Sequence, residues 1–146
     1  MTCCRGSAYL RGNTPQEGSG FSGDELAWRQ ARWHITEAIT GNGTFLDVGC
    51  ANGLLMESVT AWCADRGVII EPYGIDLAAG LVGVARARLP KWADRIWLGS
   101  AIDWMAPDGY GADPAAASPT ADSTRKFAVI VAIAAIPTNF RDTARN

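Results

Sequence analysis

At 146 residues and a net charge of −2, the chain suits one domain and gives no reason to expect nucleic-acid or membrane-surface binding. Hydrophobic residues make up 48% of it, which excludes a disordered class. A chain of this size buries roughly two thirds of its surface, enough for a real core.

Residues 1–21 are rich in Gly, Ser, Thr and Pro without periodicity and are expected to form a mobile leader to a single domain over 22–146. Cys3 and Cys4 are adjacent in this polar start and read as free thiols. No apolar stretch follows Arg5, so a secretory signal is not expected and the compartment read is the cytoplasm. Cys50 and Cys63 complete a set of four cysteines with no C-x-x-C pair, and His34 is the single histidine, so no metal site is expected. Ser22 and Glu25 have capping-box spacing at the start of a first helix. Trp28, Ala31, Ile35 and Ala38 form its apolar stripe, with Ile39 alongside, and Gly41-Asn42-Gly43 stops it. His34, flanked by Trp33 and Ile35, reads as structural.

Thr44 to Val48 is a β-rich segment that runs into a turn containing Gly49, Ala51 and Gly53. Leu54, Leu55, Met56, Val59, Trp62 and Cys63 then recur at helical spacing. A strand, a small-residue turn and a helix N-terminus together make a pocket for a nucleotide-like ligand, because small residues allow close approach to free N–H groups. Pro72 interrupts the next apolar run, so the second strand is placed at Tyr73–Leu77 and Val68–Glu71 is left as a loop or lead-in. Asp76 closes that strand, 23 residues beyond Gly53. It suits either a helix N-cap or a ligand acceptor. A further helix buries Leu81, Ala85 and Leu89 and ends at Pro90. A third strand covers Arg95–Gly99, with Trp104 following as a structural residue. Residues 105–126 are a low-complexity connection, and Phe127–Ile136 reads as a buried fourth strand, too short to span a bilayer.

The pattern Asp47-x-Gly49-x-Ala51-x-Gly53 resembles the first motif of class I S-adenosylmethionine-dependent methyltransferases, with Ala51 where a third glycine is usual. Gly74-Ile75-Asp76-Leu77 before a helix is similar to their second motif. A dinucleotide fingerprint aligned from Gly49 lacks its last glycine, because Leu54 stands there. The resemblance implies an α/β, Rossmann-like three-layer sandwich with a mostly parallel sheet, about four strands of the family's seven being present. It implies S-adenosylmethionine as cofactor. Asp47, Gly49, Cys50, Ala51 and Gly53 would hold its methionine end, Asp76 and Leu77 its ribose, and Ser100 and Ala101 its adenine. Ser100 replaces an acid common in the family, and Ala128 another. The partner implied is a small-molecule methyl acceptor, with no catalytic residue assigned. The missing later strands are expected to reflect a truncated or frameshifted frame, a half needing a partner chain through the fourth strand, or a minimal binding domain; truncation is the reading preferred. A non-catalytic S-adenosylmethionine-binding module and a nicotinamide-dependent oxidoreductase are the alternatives.

Overall fold

The structure, a computed structural model, describes residues 12–107 and 129–132. Within the expected leader, Pro15–Gly18 forms a helical turn, α1, whose N-cap Thr14 accepts the Glu17 N–H. The first predicted helix is split into α2 (Glu25–Arg32) and α3 (His34–Glu37). Its cap is Asp24, which accepts the Ala27 N–H at 2.9 Å, and not Ser22 as the spacing suggested. Asp is as good an N-cap as Ser, and Asp24 stands directly before the first helical residue. Trp28 is buried and donates its indole N–H to Ser58 Oγ at 2.9 Å, which docks α2 on α4 (Leu54–Asp65).

Four parallel strands form one sheet: β1 (Gly43–Val48), β2 (Ile70–Asp76), β3 (Ile96–Leu98) and β4 (Val129–Ala132), in the order β3-β2-β1-β4. α5 (Ala79–Arg88) and a 3-10 turn at Pro90–Arg95 connect β2 to β3. This is the start of the doubly wound order 3-2-1-4, whose direction reverses between β1 and β4. The Rossmann-like α/β class expected from the sequence is therefore the one observed. The start of β2 differs from expectation. Pro72 lies inside the strand, paired with Phe45, and the strand begins at Ile70. β3 pairs with β2 only from Gly74 onward, so at Pro72 one side of β2 carries no paired strand among the described residues, the setting in which a residue without an N–H is tolerated.

Side-chain alternation gives the sheet two unlike faces. Phe45, Ile70 and Ile96 point into a core with Met56, Val59 and Cys63 of α4, Val82 and Ala85 of α5, and Trp28. Leu46, Tyr73 and Ile75 point the other way, joined by Val48, Trp97 and Trp104, and no described helical residue belongs to that cluster. Tyr73 stacks on Trp97 with centroids 6.0 Å apart, and Trp97 meets Trp104 at 5.4 Å. Leu81, Ala85 and Leu89 are buried as their spacing required, and Trp62 and Cys63 fill core. The low-complexity stretch from 108 on, the ends of the fourth predicted strand, Cys3 and Cys4 fall outside the described residues. Among the described residues no helix is long and apolar enough to cross a membrane.

Gly83 lies on the exposed side of α5, where an added Cβ meets nothing within 4 Å. Gly83→Ala is expected to raise stability by about 1 kcal/mol, read as a higher Tm in thermal unfolding.

Candidate functional site at the carboxyl ends of β1 and β2

Asp47 pairs in register with Gly74, and Asp76 lies two residues further along β2. A two-residue step returns to the same face of a strand, so both carboxylates emerge on one face at the carboxyl ends of neighbouring strands. They are close enough that the charge on Asp76 raises the pKa of Asp47.

The turn after β1 is bonded to the end of β2. The Ile75 carbonyl accepts from Gly49 N–H at 2.8 Å and from Cys50 N–H at 3.0 Å. Asp76 Oδ2 accepts the next N–H, that of Ala51, at 2.9 Å, while its Oδ1 accepts from Ala78 N–H at 2.9 Å. Ala78, not Asp76, is the N-cap of α5. The N–H groups of Gly49, Cys50 and Ala51, residues expected to hold a ligand's methionine end, are thus used within the protein. An ionised carboxylate has about four lone-pair positions, so Asp76 retains acceptor capacity beyond these two bonds.

Asp47 is treated differently. It is 2% exposed, and among the described residues its Oδ2 has no hydrogen-bond partner. Burial first, and the Asp76 charge second, push its pKa up to about 7. Cys50 is buried in the same place, and burial together with both carboxylates pushes its thiol up as well. Its sulfur sits against Gly74, where a Cβ would come within 2.9 Å of it. The Cys50 side chain is a core filler beneath the turn.

Gly49 (φ +81°) and Gly53 (φ +80°) adopt the left-handed backbone that glycine favours. A Cβ on Gly53 would strike Leu89 at 2.5 Å, whereas the space beside Gly49 is open. Ala51 also takes positive φ, +48°, at the position where the related motif has glycine. Leu77 is 76% exposed directly beyond Asp76. Ser100 and Ala101 lie in a turn after β3, and Ser100 Oγ accepts the Ile102 N–H at 3.2 Å. The turn reaches the strand ends through Gly99, whose N–H donates to the Asp76 carbonyl at 2.9 Å. Trp104 folds back under Gly99.

Asn52 was not singled out from the sequence. It is buried, with Oδ1 accepting the Leu54 N–H at 3.1 Å and Nδ2 donating to the Pro15 carbonyl at 2.8 Å. Arg88 donates to its backbone carbonyl at 2.8 Å. Asn52 thereby joins the turn, the start of α4 and the α1 segment. An Asn two residues before an apolar helix was the available signal. An open groove of about 600 Å³ lies elsewhere, at the amino ends of β1 and β2, bordered by Asn42, Ile70, Glu71, Lys91, Trp92 and Arg95. It contains none of the predicted site residues.

No protein-family model and no curated protein matches the chain. Among solved structures it is similar to YjhP from E. coli, at 18% identity and a TM-score of 0.38 over 53% of this chain and 32% of that one. It is similar also to a SAM-dependent methyltransferase from Geobacter sulfurreducens in complex with S-adenosyl-L-homocysteine, at 20% identity and a TM-score of 0.39 over 57% and 33%. A third is the 4+2 cyclase SpnF, at 22% identity and a TM-score of 0.41 over 63% and 35%. The chain spans about a third of the length of each of these.

The raised pKa of Asp47 has a signed consequence for stability. Between about pH 4 and pH 7 the folded chain holds a proton that the unfolded chain releases. The stability from this group is complete below about pH 4 and is lost as pH rises through about 7, at up to about 1.4 kcal/mol per pH unit. Denaturant titrations of wild type and Asp47→Asn across this range are expected to show the variant gaining relative to wild type as pH rises. Parallel curves would remove the buried carboxyl from this account.

Proposed function

We propose that the chain is the cofactor-binding part of an S-adenosylmethionine-dependent methyltransferase acting on a small molecule. The observation that supports this most is the pair of carboxylates at the ends of β1 and β2, with a buried Asp47 oxygen that has no donor among the described residues. An enclosed carboxylate without a partner suits a ligand that brings positive charge. Asp76, with unused lone pairs and partial exposure, suits a pair of ribose hydroxyls. The open space beside Gly49 suits close approach of the ligand to the backbone. S-adenosylmethionine has these features: an ammonium at one end, a ribose in the middle, and a methyl group carried on a sulfonium leaving group.

Three tasks fall to the chain's own residues. Asp47 meets the ammonium end of the ligand, and Asp76 fixes the ribose and with it the direction in which the methyl group faces. The turn that follows β3, with Ser100 and Ala101, borders the adenine side. Orientation and exclusion of water are what methyl transfer asks of a protein, so no general base is assigned. A nicotinamide dinucleotide is less well served, because Leu54 at the third fingerprint position is buried in the core as the first residue of α4.

Calorimetric titration of the purified chain with S-adenosylmethionine and S-adenosylhomocysteine is the direct test. Both are expected to bind, and NAD is not. Asp76→Ala is expected to weaken binding about tenfold or more, the equivalent of one charge-assisted hydrogen bond. Folded protein that gives no heat with millimolar S-adenosylmethionine would end the proposal.

A further inference from the structure

Asp47 and Asp76 differ in what holds them. Each oxygen of Asp76 receives a backbone N–H, from Ala51 and from Ala78, so its charge is stabilised by fixed dipoles. Asp47 Oδ2 receives nothing among the described residues. Among the described residues, the ionisable groups that face Asp47 are Asp76 from β2 and Cys50 from the turn, and neither supplies a positive charge. β4, paired with β1 on its other side, has no ionisable residue over Val129–Ala132. The first turn of α4 buries Leu54, Leu55 and Met56. Arg88 of α5 is engaged by the Asn52 carbonyl and by Glu57. A carboxylate enclosed in this way beside a second carboxylate keeps a proton until a cation replaces it.

We propose that an ammonium-bearing ligand takes the place of that proton, so that uptake of the ligand's methionine end releases a proton from Asp47 to solvent. The inference rests on the S-adenosylmethionine reading of the same site and adds a regulating variable to it. The O–H bond of the Asp47 carboxyl breaks, its electron pair stays on the oxygen, and the proton passes to the buffer. The carboxylate left behind pairs with the ligand's ammonium. Affinity for the ammonium ligand then rises with pH, by up to about tenfold per unit, until Asp47 is ionised without ligand. An adenosine compound lacking the amino-acid end gains nothing from this exchange.

The experiment is calorimetry of the full chain at about pH 6 with S-adenosylhomocysteine, in two buffers of different ionisation enthalpy. The difference in heat counts protons. Close to one proton released is expected with S-adenosylhomocysteine, and none with 5′-methylthioadenosine, which keeps the adenosyl group but lacks the ammonium. Asp47→Asn, shown to be folded by thermal unfolding, is expected to release none. Binding with equal heats in both buffers overturns the exchange while leaving the cofactor reading intact. Release that persists in Asp47→Asn, or that accompanies methylthioadenosine, overturns it equally. Absence of binding by every adenosyl compound overturns the cofactor reading and the exchange with it.

Discussion

The end of β2 holds the turn that follows β1, and the rest of the site depends on that grip. Three successive N–H groups, at Gly49, Cys50 and Ala51, donate to two acceptors on β2, the Ile75 carbonyl and the Asp76 carboxylate. These bonds continue the β1–β2 ladder beyond the last paired residues and fold the turn down onto the neighbouring strand. Gly74 makes room for it, because any side chain there would collide with Cys50 and Met56. Asn52 then fixes the far end of the turn to α4 and to the α1 segment.

Burial of Asp47 follows from this closure. With the turn pressed onto β2, the second-last residue of β1 lies beneath Cys50 and beside Asp76, at 2% exposure. The neighbouring Asp76 carboxylate accepts two backbone amides, while Asp47 Oδ2 accepts none among the described residues. Two acids on the same face of adjacent strands are therefore held differently: Asp76 accepts two backbone N–H groups, whereas burial and the neighbouring Asp76 raise the pKa of Asp47.

Much of this was legible in the sequence because it rests on short-range chemistry. Asp47, Gly49 and Gly53 announce a strand ending in a left-handed turn, and apolar spacing announces α4 and α5. The parallel sheet was implied by the resemblance that the Asp47–Gly53 turn and the Asp76 strand end carry, and the position of β1 between β2 and β4 comes from the structure. What was not legible depends on partners distant in the chain. Pro72 sits inside a strand because β3 happens to begin only opposite Gly74. Pro15–Gly18 forms a helical turn, tied down by an Asn52 amide that lies far along the sequence. The choice of Asp24 over Ser22 as cap turned on where the first helical turn began, within the margin that end effects leave open. The depletion of free N–H groups in the turn was invisible for the same reason, since its acceptors belong to another strand.

That depletion bears on which charge the strand ends could accommodate. A glycine turn before a helix ordinarily offers its amides, as phosphate-binding turns do. Here the Gly49, Cys50 and Ala51 amides are spent on β2, and the acidic side chains beside them are Asp47 and Asp76. An anionic group placed against the Asp76 carboxylate would meet repulsion, with those three donors no longer open to offset it. Ala51 fits the same logic. Its left-handed backbone costs about 1 kcal/mol or more against glycine. In that conformation the Ala51 N–H donates to Asp76 Oδ2, a bond that offsets part of the cost. The turn thus works as a clamp on the Asp76 carboxylate and leaves Asp47 Oδ2 without a donor among the described residues.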